Sequence, residues 1–235
     1  MKAIPAIDLR EGACVQLVGG SYDEERVRLP DPVQVAQRWR AAGFSSLHVV
    51  DLDAATGRGS NAVTIERLLV GGDVQVGGGV RDEATIERWL GLGAARVVVG
   101  TRAVEEPAWL EQMATRFPQR VVLAADVKGR AVVTRGWATE TSLQVSELFA
   151  RVEALPLAGV LVTAVHVEGR LEGTDAALFR DLAAATKLPV IASGGVTTVE
   201  DLRCLQASGC RAAVIGMALY TGRLDALSTA QEFSS

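Results

Sequence analysis

Two aspartates stand where apolar runs end. Asp8 closes the run that opens IPAIDLREG, Ile4 to Gly12, and Asp126 closes the run in AADVKG. A carboxyl group at the end of a buried strand either caps a turn or does acid–base chemistry. One such acid alone would favour the turn. Two that occupy matching places in a repeat favour chemistry.

Two glycine-rich turns accompany them. VGGGVRD contains Gly78 and Gly79, and ASGGVTT contains Ser193, Gly194 and Gly195. Each runs from an apolar stretch into a helical one. Glycine lets the backbone approach a ligand, and N–H groups at such a turn attract anions. VVVGTRA, with Gly100 and Thr101, and AVIGMAL, with Gly216 and Met217, follow on the next strands and complete two phosphate cups. Two cups on opposite sides of one site imply a long ligand with a phosphate at each end.

The acids and turns recur in register. Asp126 lies 118 residues after Asp8, Gly194 lies 116 after Gly78, and Gly216 lies 116 after Gly100. Three pairs at nearly one offset point to a duplicated half. The elements that must position them alternate in type. Candidate strands are Ala3–Ile7, Leu47–Val50, Val74–Val76, Arg96–Val99, Val121–Ala125, Gly159–Val162, Val190–Ala192 and Ala212–Ile215. They are near-continuous apolar runs, as parallel strands covered on both faces should be.

Helical segments lie between the strands. DPVQVAQRWRAAG has Asp31 as N-cap, Pro32 at the first helical position and Gly43 as its stop; RDEATIERWLGLG has Asp82 as cap. TTVEDLRCLQASG carries a Thr197–Glu200 capping box. Eight strand–helix units without a Pro/Gly/Ser-rich linker predict a (β/α)8 TIM barrel with half-barrel duplication, one domain over residues 1–235. The spacing of a dinucleotide fingerprint is absent. In such a barrel the strands' C-terminal ends hold the site, so Asp8 and Asp126 should face each other across its mouth.

Composition narrows the partners. The net charge is −4, which gives no basic field for nucleic acid. No apolar run reaches the roughly 18 residues of a membrane span, and the N-terminus lacks a signal peptide, so a cytoplasmic location is expected. The cysteines, Cys14, Cys204 and Cys210, and the histidines, His48 and His166, lack metal-ligand spacing, and no metal is expected. Asp51 and Thr163 are polar groups at the ends of strands two and six. Trp137 sits in a polar hairpin after strand five, where its indole could stack on a heterocycle or pin the hairpin down. Arg81 follows the first glycine turn and suits a phosphate or a neighbouring acid. The polar stretch Gly19–Pro30 reads as a long loop, suited to a lid.

IPAIDLREG, LHVVDLDAATGRGSN, VQVGGGVRD, VVVGTRAVEEP, RGW, VIASGGVTTVEDL and IGMALY together resemble the ribotide isomerase family of histidine biosynthesis. The resemblance covers nearly the whole chain in order. It implies an enzyme that converts the phosphoribosylformimino form of aminoimidazole carboxamide ribotide to its phosphoribulosyl form. That is an Amadori aldose–ketose rearrangement of a bisphosphate, without cofactor, with a monomer expected. It implies Asp8 as general base and Asp126 as general acid. His48, Trp137, Thr163 and Arg81 would bind substrate, and Gly173 would join the glycine turns around phosphate.

The chain departs from the family pattern in its sixth loop, where Ala164, Val167, Glu168 and Arg170 replace an acid, a base, an Asp and a Thr. Gln16 and Met217 stand where Arg and Lys are common. Arg170 is a candidate replacement for the lost positive charge. The rival readings are a related cyclase, a barrel that also isomerises phosphoribosylanthranilate with help from Arg135, and a non-catalytic phosphate-binding barrel. The cyclase typically has Cys and Lys at positions held here by Ala6 and Gln16.

Overall fold

A computed structural model of the chain describes residues 1–233. Eight parallel strands close into a barrel: β1 (Lys2–Arg10), β2 (Ser46–Asp51), β3 (Asp73–Gly77), β4 (Arg96–Val99), β5 (Val121–Lys128), β6 (Gly159–Ala164), β7 (Val190–Ser193) and β8 (Ala212–Ile215). Each pairs with its neighbours in sequence, and β8 pairs with β1 to close the ring. Helices follow every strand, which is the (β/α)8 TIM barrel that the alternation of apolar runs predicts.

Side-chain alternation along the strands sorts the residues into two cores. Ile4, Ala6, Val98, Val122, Leu161, Ile191, Ala212 and Val214 fill the barrel. Val49, Val76, Val97, Leu123, Val160 and Ile215 point outward and bury against the helices. The strands are therefore apolar on both faces. Polar residues collect at one end, where Asp8 and Asp126 continue the inward-facing set.

The helix ends follow their sequence signals. Asp31 accepts from the N–H groups of Val33 and Gln34 and starts Pro32–Ala41. Asp82 accepts from Thr85 and starts Glu83–Gly91. The capping box is one residue later than expected. Thr198 caps Val199–Ala207 with Asp201, because Thr197 turns back to donate its hydroxyl to the Gly195 carbonyl.

Gly19–Pro30 is mostly not a loop. Ser21–Leu29 is a strand antiparallel to Ala13–Val18, which itself pairs with β1. Its charged residues, SYDEERVRL, disguise it. Its inner neighbour, Ala13–Val18, is the buried strand of the ribbon, and the outer strand needs no apolar face of its own. A second ribbon, Ala131–Thr134 with Thr139–Gln144, rises from β5. The polar hairpin expected around Trp137 is this ribbon's turn. Both ribbons rise from strands that carry an acid.

The glycine turns are fixed by close packing. Gly78 has φ +87, and a methyl group there would overlap the Asp51 backbone. Gly57, at φ +70, has nothing within 4 Å of such a methyl. Gly78→Ala should therefore cost at least about 2 kcal/mol, and Gly57→Ala about 1 kcal/mol from backbone strain alone. Urea unfolding of both variants checks this. Equal losses would show that packing under the turn is slack.

Candidate active site

β1 and β5 lie four strands apart in a ring of eight, so Asp8 and Asp126 approach the mouth from opposite sides. Register places Asp8 beside Val50 on β2, and Asp126 beside Thr163 on β6. Each acid has a distinct set of partners. Gln16, from the first ribbon, donates its amide to Asp8 at 3.2 Å and to the Val15 carbonyl at 2.9 Å. Burial outweighs that single donor and raises the Asp8 carboxyl to about 7. Asp126 accepts from the Trp137 indole N–H at 2.8 Å and from the Thr163 hydroxyl. Burial raises its pKa too, against these two donors.

A third carboxyl lies within electrostatic reach of both. Glu168, on the loop after β6, feels the charges of both Asp8 and Asp126. Burial and these two neighbours raise it to about 7, and one N–H bond from Gly195 opposes the rise. The sequence presents Glu168 only as a departure from a family pattern. Its signal was its place, five residues beyond Thr163 at the end of an inward strand.

Gln16 is the second functional residue that the sequence undersold. It is 3% exposed and touches both Asp8 and Gly216. A methyl group on Gly216 would overlap its side-chain amide. The first ribbon thus reaches from the β1 acid to the β8 glycine.

The two glycine cups share one backbone shape. Gly78 and Gly79 have φ +87 and +71, and Gly194 and Gly195 have +98 and +74. Gly100 (φ −119, ψ −111) and Gly216 (φ −103, ψ −107) match as well. Their surroundings differ. Gly78 and Gly79 are partly open, whereas Gly194 and Gly195 are buried beneath the sixth loop, where Val167 and the Gly173 carbonyl cover Gly195. Ser193 and Gly173 lie at this roofed cup. Met217 is buried and opens a short helix, Met217–Tyr220, with no charged side chain of its own to offer. The Thr101 hydroxyl, beside the open cup, accepts from the Arg135 N–H at 3.0 Å.

Other expected site residues take bracing positions. His48 lies level with Ala6, one inward position below Asp8, and is 6% exposed. Its Nδ1 faces the Gln75 amide at 2.8 Å, and burial lowers its pKa to about 4, so the ring stays neutral. Arg81 donates to the carbonyls of Ala54 and Ala55 at 3.2 and 2.6 Å, at the end of the helix after β2. Asp51 turns out of the barrel, where it caps Ala54 and binds Asn61. Arg170 is exposed on the sixth loop.

Trp137 joins the two ribbons. Its φ is +70, its indole N–H holds Asp126, and its ring lies so close to Gly20 that no side chain fits at that turn. Gly19 in turn donates to the Glu168 carbonyl at 3.2 Å. Ribbons and sixth loop therefore meet over the acids. Trp137→Phe keeps an aromatic ring and removes one donor to the Asp126 carboxyl. Turnover efficiency should fall roughly tenfold, and the Asp126 titration should move to higher pH. A steady-state pH profile reads both, and an unchanged profile would leave the indole a packing role only.

The described residues contain no group of three or more His, Cys, Asp or Glu side chains able to hold a metal ion, and no helix long and apolar enough to cross a membrane. Comparison with known proteins places the chain in a family. A family profile described as "Histidine biosynthesis protein" matches residues 2–225. Relatives from Gemmatimonas aurantiaca and Myxococcus xanthus are each 58% identical over 237 residues, covering 100% of both chains. One from Synechocystis is 43% identical over 230 residues, 94% of this chain and 89% of its own. All three are named 1-(5-phosphoribosyl)-5-((5-phosphoribosylamino)methylideneamino)imidazole-4-carboxamide isomerase. With one profile spanning nearly its full length and relatives this similar end to end, the chain belongs to the histidine biosynthesis protein family.

Proposed function

We propose that the chain catalyses the reaction for which these relatives are named, the isomerisation of a phosphoribosyl aminoaldose to its ketose. The observation that carries this reading is the pair of acids on opposed strands, Asp8 on β1 and Asp126 on β5, between two glycine cups of one shape. A substrate with a phosphate at each end spans the cups and brings its reacting ribose between the acids.

The rearrangement moves protons only. An acid protonates the ring oxygen, the C1′–O bond breaks, and the nitrogen lone pair forms a C1′=N iminium. A base then takes the C2′ proton, giving an enolamine. That intermediate becomes a ketone at C2′ as its hydroxyl loses a proton and C1′ gains one. Asp8 is the base in this reading. Its pKa of about 7 leaves a usable ionised fraction at neutral pH and a basicity far above that of a free aspartate. Asp126, steadied by Trp137 and Thr163, is the acid that opens the ring.

The third carboxyl favours a second reading of the acid. Asp126 has two donors that stabilise its ionised form, whereas Glu168 has one and feels two neighbouring charges. In that reading Glu168 supplies the proton that opens the ring. The isomerase assignment is the same in both readings.

Turnover of the formimino ribotide by purified protein tests the function, with phosphoribosylanthranilate assayed alongside. Conversion of the ribotide alone identifies a specific isomerase. Conversion of both gives a dual one, for which Arg135 beside Thr101 is the residue to change first. Tight bisphosphate binding without conversion of either would mean a binding barrel.

A further inference from the structure

The two halves of the barrel hold their second and sixth loops by different chemistry. Asp51 and Ala164 are structural equivalents. Asp51 pairs with Leu9, the residue after Asp8, and Ala164 pairs with Val127, the residue after Asp126. A methyl group on Gly78 would strike the Asp51 backbone, and one on Gly194 would strike the Ala164 backbone. Two residues further on, Asp53 corresponds to His166. Asn61 and Asp175 also correspond, since each is the N-cap residue of the helix that ends its loop.

In the first half these positions form a clasp. The Asn61 amide donates to Asp51 at 2.8 Å and to Asp53 at 2.9 Å, and the Asn61 backbone donates to Asp51 at 2.7 Å. Asp53 also accepts from the Glu11 N–H at 2.6 Å, which ties the loop to the turn after β1. Asp51, Asp53 and Asn61 are all under 8% exposed. In the second half Ala164 has no side chain to contribute. His166 instead places Nε2 3.3 Å from the Asp175 carboxylate, whose other oxygen caps the Leu178 N–H at 2.9 Å. Donor and acceptor have changed places: acid then amide in one loop, imidazole then acid in the other.

We propose that His166 and Asp175 are positioning residues, which clasp the loop after β6 in place of the missing aspartate and so hold Glu168 toward Asp8 and Asp126. Besides this pair, Val165 to Thr174 are tied to the body by the Thr174 hydroxyl, which donates to the Gly194 carbonyl at 2.8 Å, and by the Glu168 carboxyl, which accepts from the Gly195 N–H. Backbone bonds add Gly19 to the Glu168 carbonyl and Val165 to the Val127 carbonyl. The His166–Asp175 pair spans the loop from near its start to its end. The kinetic part of this proposal rests on the isomerase reading.

The test is a re-pairing series: His166→Ala, His166→Asp, and His166→Asp with Asp175→Asn. The double variant rebuilds the Asp–Asn pair of the first half, and Asn keeps the helix cap. His166→Ala should lower kcat about tenfold and speed amide exchange across residues 165–174. His166→Asp should be worse, because two carboxylates then face each other. The double variant should return kcat to within about threefold of the parent. Parent-like kcat and exchange in His166→Ala would overturn the proposal, as would a double variant no better than His166→Asp. If the unmodified protein converts no ribotide, the isomerase reading fails and exchange alone decides the clasp. Faster exchange in His166→Ala, reversed in the double variant, then supports it, and unchanged exchange overturns it.

Discussion

Asp8→Asn should abolish turnover and make the protein more stable at alkaline pH. Removing the base from a proton abstraction costs about 10³-fold or more in kcat, since nothing else on β1 can take the C2′ proton. The stability change follows from burial. The folded Asp8 carboxyl binds its proton up to about pH 7, against 3.8 for its ordinary value. Between these values the folded state holds a proton that the unfolded chain has lost. Stability therefore falls as pH rises from about 4 to about 7, and stays low above that. Each pKa unit is 1.36 kcal/mol, which sets a ceiling of about 4 kcal/mol, and Asp8 is partly open to the mouth, so about 2 kcal/mol is the better figure. The variant should gain that margin at pH 8 and nothing near pH 3.5, where the carboxyl is largely protonated in both states. Urea unfolding at the two pH values reads the difference. Equal stabilities at pH 8 would mean that Asp8 is well solvated and lacks the raised basicity assigned to it.

The barrel was legible because its strands are buried on both faces and read as apolar runs, and because Asp31 and Asp82 mark helix starts without ambiguity. The opposed acids were legible for the same reason, since a carboxyl ending such a run is conspicuous. What was hidden falls into two physical kinds. Ser21–Leu29 is held by backbone pairing rather than by burial, so its charged side chains gave no strand period. The direction of side chains was also hidden. Asp51 and Asp8 both sit at strand ends, yet Asp51 is one residue beyond the inward set and turns to Asn61. A one-residue difference along a strand reverses the face, and the apolar run alone did not mark where the inward set stops.

The matched glycines revealed the duplication, and its imperfections carry further information. The first cup is partly open, and the second is roofed by a loop with its own clasp and its own acid. The strand-six departures, Ala164, Val167, Glu168 and Arg170, fall at the last residue of β6 and in the loop that follows it. Read as a list they suggest decay. Placed in the barrel, Ala164 is answered by His166 with Asp175, and Glu168 brings a carboxyl to the acid pair.

That carboxyl is the subject of the second large effect. Glu168→Gln preserves size and can still accept the Gly195 N–H, so a residue that only packs would be replaced without penalty. If Glu168 is the ring-opening acid, kcat should fall about 10²- to 10³-fold, the usual contribution of a positioned proton donor. The pH profile supplies the sharper reading. An active site with Asp8 ionised and Glu168 protonated gives a bell, both groups lying near 7, and coupled acids titrate as a set rather than singly. The substituted amide has no proton to lose in this range, so the alkaline limb should vanish while the acid limb, set by Asp8, remains. Asp126→Asn is the necessary comparison. Should the Glu168→Gln enzyme keep kcat within about threefold and both limbs, while Asp126→Asn loses the alkaline limb, Asp126 alone is the acid. Glu168 would then matter only through its packing and its bond from the Gly195 N–H.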